Sequence, residues 1–195
     1  MILPIVGYGH SVLRIATKDI DTKNLNQEEL QELKTLTEDM FETMYKANGV
    51  GLAAPQINKS ISLMVIDADP LKEEYPEGEG FKIAIINPHV IETSGENWSF
   101  EEGCLSLPGI HENVSRPEKV KIQYQIIEEK DGKLQIVDCE EELSGIRARV
   151  FQHEYDHLQG KVFVDRISNL RKAFLKKKLS DISNNKVRPD YKMLK

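Results

Sequence analysis

The run HEYDH at residues 153–157 constrains the fold of this chain more than any other stretch of its sequence. Two histidines four residues apart lie on the same face of an α-helix, so both imidazoles can reach one metal ion if the run is helical. Ile146 and Val150 extend the same stripe toward the N-terminus, and Gly160 is a suitable stop. We therefore predict a helix over about 145–158 that carries two metal ligands.

Glu154 lies about 100° around this helix from His153, so it can stand beside a bound metal without ligating it. There it could act on a metal-bound water as an acid or base. The alternative is a pair of core histidines whose hydrogen bonds are satisfied. That alternative is the weaker one, because the complete H-E-x-x-H pattern coincides with a helix predicted on other grounds.

The third metal ligand is missing from the places where zinc peptidases carry it. Catalytic sites of this type keep three protein ligands and one open position. Two peptidase classes supply the third ligand downstream, but no Glu follows Glu154 and no His follows His157 in this chain. The ligand must therefore come from upstream, where the candidates are the carboxylates and Cys104, Cys139, His10, His89 and His111.

Cys104 is the most favourable of these candidates. It lies in the stretch EEGCLSLPG at residues 101–109, where glycine and proline let the backbone approach a metal closely. A thiolate also suits Fe(II) or Zn. Cys139 lies in an apparent strand, where a buried and inert thiol is the expectation.

Two further helices are predicted from apolar residues that recur at steps of three and four. Asn26 can cap the first of them, over residues 27–47, and Asn48-Gly49 can end it. The other fits residues 168–180.

Strand signals fall between these helices. Residues 61–67 and 81–88 are strand-like, and apolar and polar residues alternate over 120–126. Asp131-Gly132 is a hairpin signal that leads into another strand. The segment 95–118 contains five Gly or Pro, so we expect an irregular backbone there.

Grouped strands with hairpin signals favour an α+β fold over a doubly wound sheet. We predict antiparallel strands packed around a central helix that carries the H-E-x-x-H run, with a C-terminal helix. A chain of 195 residues suits one domain. We assign a single catalytic domain to residues 1–180 and a basic C-terminal tail, for which disorder is one expectation, to residues 181–195.

The charge is divided unevenly between the two ends of the chain. The net charge is −6, yet residues 166–195 carry +8 and the rest carry −14. A basic tail on an acidic body suggests an anionic neighbour, nucleic acid included. The alternative, which charge runs more often turn out to be, is a solvated helix face with a frayed terminus.

The sequence also predicts a cytoplasmic protein. No stretch approaches the ~18 consecutive apolar residues of a membrane-spanning helix. The first residues, MILPIVGYGH, lack the basic start of a signal peptide. Two cysteines are too few for a disulfide framework, which favours a reducing compartment.

Three motifs carry a resemblance to a known family. GVGLAAPQ at 49–56, EGCLS at 102–106 and QHEYDHLQG at 152–160 resemble, in order and separation, the signature motifs of the peptide deformylases. Weaker similarity extends from Ile2 to Phe163. The resemblance implies an enzyme that removes the formyl group from the N-terminal formyl-methionine of nascent polypeptides and releases formate.

The resemblance also implies a metal centre. Cys104, His153 and His157 would be the ligands, with water in the fourth place. The metal would be Fe(II) in the cell, although Zn, Ni or Co could occupy the site. Hydroxide formed on the metal would attack the formyl carbon, and Glu154 would be the general acid/base.

Residues around the metal would bind the substrate. The Gln56 side-chain amide and the Leu105 backbone N–H would meet the charge that develops on the formyl oxygen, and Gly51 would offer backbone contacts. Read singly, Gln56 could merely cap a turn, and its motif could be tight packing. Arg116 and Asp156 are expected to form ion pairs that support the ligand histidines.

The methionine side chain requires an apolar pocket, for which Val50, Ile146 and Val150 are the candidates. Arg149 departs from the family, in which an apolar residue is common at this position. If Arg149 lines the pocket, its stem could pack there while its charge reaches solvent.

Other functions remain open from the sequence. They are a zinc endopeptidase of the H-E-x-x-H type, a non-catalytic metal-binding module, and a family member with another acyl substrate. The expected partners are N-formyl-methionyl peptides and nascent chains, with neither a membrane nor specific DNA. The basic C-terminal helix further suggests contact with the ribosome.

Overall fold

The computed structural model describes residues 1–194, and this part of the chain forms three α-helices and one five-stranded sheet. The helices are α1 (Gln27–Lys46), α2 (Gly145–Leu158) and α3 (Asn169–Ser183). The strands are β1 (Gly51–Ala53), β2 (Leu63–Asp67), β3 (Lys82–Gly103), β4 (His111–Lys130) and β5 (Lys133–Ser144). They pair antiparallel in the order β1-β2-β3-β4-β5, which confirms the predicted α+β class and its antiparallel pairing.

Helix α1 begins where its capping signal predicts. The Asn26 side chain accepts hydrogen bonds from the backbone of Glu28 and Glu29, and the Glu29 carboxylate accepts from the Asn26 N–H at 2.8 Å. These reciprocal bonds satisfy donors that have no partner inside the helix. The helix ends at Lys46, and Asn48 then adopts a left-handed conformation with φ of 56° that turns the chain toward β1.

Strand β2 has helices packed on both of its faces. Met64 and Ile66 join a core cluster with α2, whereas Leu63 and Val65 join a second cluster with α1. Successive side chains of a strand point to opposite faces, so a strand covered on both sides is apolar throughout. This arrangement holds β1 and β2 firmly against the helix that carries the H-E-x-x-H run.

The expectation of an irregular backbone over 95–118 is wrong. β3 continues to Gly103 and β4 starts at His111, with paired residues from Asn97–Pro117 to Gly103–His111. Only the connection between the two strands lacks regular structure. The buried face of β4 alternates as a strand requires, but over 111–118 it includes Glu112 and Arg116, so this part of the sequence shows no apolar alternation.

The predicted helices and hairpin agree with the structure to within a few residues, whereas the predicted strands 81–88 and 120–126 are parts of the longer β3 and β4. The hairpin turn at Asp131-Gly132 joins β4 to β5, with Lys130 opposite Lys133. Helix α3 begins at Asn169, one residue after the predicted start, and continues past the predicted end at 180 to Ser183. No helix within residues 1–194 is long and apolar enough to cross a bilayer. The predicted division at residue 180 stays a prediction, and Lys195 lies outside the described residues.

Candidate metal centre

Helix α2 and the end of β3 bring three metal-binding side chains together. Cys104 directly follows β3, while His153 and His157 lie one turn apart on α2. One potential ligand atom from each residue lies within 4.8 Å of the others. The Cys104 Sγ is 3.3 Å from the His157 Nε2.

This donor set fits a divalent transition metal. Ligand atoms that surround such an ion tetrahedrally at about 2.0–2.3 Å are roughly 3.3–3.8 Å from one another, so small adjustments would close the observed cluster on an ion. One thiolate and two imidazoles are ligands that Zn and Fe(II) both accept. Burial lowers the pKa of His157 to about 3, which keeps its imidazole neutral and able to ligate.

The other upstream candidates for a third ligand lie elsewhere. His10 accepts a hydrogen bond from the Val12 backbone, and His89 pairs with Asp19 on the surface. Cys139 lies in β5 and His111 opens β4, and neither belongs to the donor cluster. Among these residues, therefore, Cys104 is the one that joins the two histidines.

Glu154 is buried beside the donors, against the backbone of β1. A side chain at position 51 would clash with it, since a Cβ built on Gly51 would lie 2.3 Å from a Glu154 carboxylate oxygen. The other carboxylate oxygen is buried and has no hydrogen-bond partner among the described residues. Burial raises the pKa of Glu154 to about 7, so this carboxyl group can gain or lose a proton near neutral pH.

Glu102 orients His153, and the sequence analysis did not assign it this role. Its carboxylate lies 2.8 Å from the His153 Nδ1, leaving the other ring nitrogen for the metal. It also accepts two hydrogen bonds from Arg116 and one from Arg149. Although burial opposes ionisation, these hydrogen bonds hold the pKa of Glu102 well below its usual range. The available signal was its place in the second motif, because ligand histidines usually need such a carboxylate partner.

Arg116 extends this network to the last turn of α2. Its guanidinium donates to Asp156 at 2.7 Å, and Asp156 accepts two more hydrogen bonds from Arg166, each at 2.6 Å. Arg116 is completely buried, so its charge is balanced by these carboxylates rather than by water. The ion pairs expected of Arg116 and Asp156 thus connect β4, α2 and the segment before α3.

Arg149 lines the cleft, but its charge is buried, since the residue is only 2% exposed. The guanidinium donates to Glu102 and to the backbone oxygens of Val114 and Trp98, and it stacks over the Trp98 ring at 4.4 Å. The expectation that its charge would reach solvent is therefore wrong. The carboxylate of Glu102 takes the place of water as its partner.

Gln56 has two functions in the structure. Its side-chain oxygen accepts a hydrogen bond from the Ala53 backbone at 2.8 Å and so caps a short turn. Its side-chain nitrogen donates to the Ser106 hydroxyl and lies 3.5 Å from the Cys104 Sγ. The amide donor is thus held beside the metal-binding cluster.

These residues surround a cleft of about 530 Å³. Its lining includes the predicted site residues Val50, Gly51, Gln56, Cys104, Leu105, Ile146, Val150, His153 and Glu154. His157 lies behind the lining and is fully buried. A second depression, of about 620 Å³ around Asp19 and Glu140, contains none of the three donor side chains.

Replacement of Glu102 by glutamine should lower metal affinity by about 10- to 100-fold, because a neutral amide orients His153 less firmly than a carboxylate. Arg149 would also lose its carboxylate partner and Arg116 one of its two, so the melting temperature should fall. Chelator competition and thermal unfolding measure the two effects. Glu128→Gln, at an exposed position near the far end of β4, should change neither quantity. Unchanged metal affinity in the Glu102 variant would show that its carboxylate does not support the site.

Comparison with known proteins gives a consistent result. The sequence model of the polypeptide deformylase family matches residues 2–173. The peptide deformylase of Flavobacterium psychrophilum is 46% identical, over 99% of this chain and 96% of that protein. The solved Thermotoga maritima peptide deformylase is 38% identical with a TM-score of 0.70, over 86% of this chain and 99% of that one. A Plasmodium falciparum peptide deformylase structure has a TM-score of 0.75 at 34% identity, over 93% and 95% of the two chains.

Proposed function

This chain belongs to the peptide deformylase family, and we infer from that membership which of its residues carry out deformylation. It is an enzyme with deformylase activity that acts on formylated nascent peptides. We propose that it acts on N-terminal formyl-methionine and releases formate. The observation that carries the assignment of residues is the convergence of Cys104, His153 and His157 beside Glu154.

We propose that Cys104, His153 and His157 hold one divalent metal. Fe(II) is the proposed ion in the cell, and Zn, Ni or Co would fit the same donors. When bound, such a metal polarises the formyl carbonyl and makes water nucleophilic at neutral pH. Helix α2 would then be the central helix of the fold, with the strands packed around it.

Glu154 moves the proton in this scheme. Its carboxylate takes a proton from the attacking water and gives it to the nitrogen of methionine as the C–N bond breaks. Two features support this role, namely its position against Gly51 beside the donors and its pKa of about 7. A group with that pKa can act in both directions near neutral pH.

Gln56 and Leu105 stabilise the charge that develops on the formyl oxygen. The Gln56 side-chain nitrogen lies 3.5 Å from the Cys104 Sγ, and Leu105 directly follows Cys104 in the chain. One such donor is typically worth about 2.7–4 kcal/mol of the barrier. The capping bond from the Gln56 oxygen fixes the amide, so little reorganisation is needed during the reaction.

The substrate lies along β1, with its methionine side chain among Val50, Ile146 and Val150. β1 is an edge strand of the described sheet and pairs with β2 on one side. An extended peptide can use the other side for backbone hydrogen bonds, which is the contact proposed for Gly51. The apolar side chains of α2 then exclude water from the reacting bond.

Formate release tests the function. The protein is purified without oxygen, its metal content is measured, and formyl-Met-Ala-Ser is supplied. We expect formate and free Met-Ala-Ser in equal amounts, with no cleavage of internal peptide bonds. Acetyl-Met-Ala-Ser is the matched control and should remain intact. Cleavage within unformylated peptides would instead indicate an endopeptidase, and a metal-loaded protein that acts on neither peptide would be a binding module.

We also propose that the enzyme works in the cytoplasm and contacts the ribosome through α3. This helix exposes Leu170 and Phe174 among its basic residues, which suits an anionic surface with apolar patches. Such binding should weaken steeply as salt is raised. Co-sedimentation with ribosomes over a salt series measures it, and a salt-independent result would contradict the proposal.

A further inference from the structure

The chain beyond α3 returns to the body of the protein. After Ser183, Asn185 adopts a left-handed conformation with φ of 55°, and residues 186–194, here called the C-terminal segment, run back toward the N-terminus. The Ile5 N–H donates to the Lys192 oxygen at 2.9 Å, and the Leu194 N–H donates to the Ile5 oxygen at 2.7 Å. These bonds dock the segment beside the N-terminal residues.

Side-chain contacts dock the same segment against the loop that follows Cys104. The Tyr191 hydroxyl donates to the Leu105 backbone oxygen at 2.7 Å, and both Tyr191 and Met193 pack against the core cluster of α1 and β2. Leu105 directly follows the metal-binding Cys104. The C-terminal segment is therefore in contact with the loop on which the proposed oxyanion site depends.

The segment also forms part of the substrate cleft. Pro189, Asp190 and Tyr191 line it, together with Leu105 and Pro108. The residues proposed to hold the methionine side chain lie elsewhere: Ile146 and Val150 are in α2, and Val50 directly precedes β1. Because both sets of residues line one cleft, the residues that follow the methionine of a bound peptide can reach the wall that the C-terminal segment supplies.

This wall adds negative charge to the cleft. Asp190 and Glu101 both line the cleft and are exposed, and Asp190 forms no ion pair within residues 1–194. The cleft's one lining arginine, Arg149, is buried and already paired with Glu102. Arg188, two residues before Asp190, donates to the Asn185 oxygen and does not line the cleft. The exposed His111 also lines the cleft.

We propose that the C-terminal segment selects substrates by charge, and that Asp190 makes the enzyme favour basic over acidic residues directly after the N-terminal methionine. This inference rests on the proposed function, since it concerns the same cleft. The segment lies beyond residue 173, where the match to the family model ends.

The test is the ratio of kcat/KM for two peptides, formyl-Met-Lys-Lys-amide and formyl-Met-Glu-Glu-amide. Wild-type enzyme should prefer the basic peptide, and Asp190→Lys should shift the ratio toward the acidic one by about fivefold or more at low salt. Tyr191→Ala, which loosens the wall, should shift it in the same direction. Asp131→Lys makes the same change of charge at the far hairpin tip of β4 and should leave the ratio unchanged.

The possible outcomes separate this inference from the proposed function. If the wild-type enzyme releases formate from both peptides and the Asp190→Lys ratio equals the wild-type ratio, charge selection by the segment is wrong. An equal shift in the Asp131→Lys control would also overturn it, because the effect would then reflect total charge. If the metal-loaded wild type releases formate from neither peptide, nor from formyl-Met-Ala-Ser, the failure belongs to the proposed function.

Discussion

Replacement of Glu154 by glutamine should lower the kcat for formate release by about 10²- to 10⁴-fold, the range that a general acid/base contributes. Glutamine has nearly the same shape but cannot take a proton from water or give one to the leaving nitrogen. The metal content should stay near that of the wild type, because Glu154 is not among the three donor residues. Steady-state kinetics and metal analysis of the same preparation give both quantities.

The exposed Glu32 on α1 offers a matched control, since Glu32→Gln makes the same chemical change away from the cleft. It should retain wild-type kcat and metal content. Two results would count against the role of Glu154. Undiminished turnover in Glu154→Gln would mean that another group moves the proton, and loss of metal together with activity would mean that Glu154 supports the site itself.

Replacement of Cys104 by alanine should remove both the metal and the activity. The thiolate is one of three donors, so its loss should lower metal affinity by more than the roughly 10- to 100-fold expected for an outer partner such as Glu102. Formate release should fall below detection at metal concentrations that saturate the wild type. Metal titration of the stripped protein, followed by the formate assay, measures these effects.

Cys139→Ala provides the control for this experiment because it removes the chain's other thiol. Cys139 lies in β5, away from the donor cluster, and its variant should bind metal and release formate as the wild type does. If Cys104→Ala keeps its metal, the third ligand comes from another residue and the Cys-His-His assignment fails. If Cys139→Ala loses its metal, the proposed division between the two cysteines is wrong.

Local patterns were sufficient to predict most of the secondary structure. Helix α1 was foreseen from Asn26 and its apolar stripe, and the hairpin was foreseen from Asp131-Gly132. The paired strands within 95–118 were not foreseen, because Glu112 and Arg116 occupy inward positions where a strand usually carries apolar groups. Charged residues on a buried face are stable only with partners from distant parts of the chain, and a sequence pattern does not reveal those partners.

The same limit applies to the candidate site. The helical spacing of His153 and His157 is local, and the absence of downstream ligands directed the search to Cys104. The position of Glu102 between His153 and two arginines depends on how β3 and β4 pack on α2, and no local spacing encodes it. The return of Tyr191 to Leu105 joins residues 86 positions apart and was likewise beyond prediction.

The contact between Gly51 and Glu154 also restricts which amino acids this fold can accept. Position 51 lies in a buried strand, where a larger side chain would normally add stability. Here any side chain would occupy the space of the Glu154 carboxylate. In a library with all twenty amino acids at position 51, selection for deformylation should therefore recover glycine.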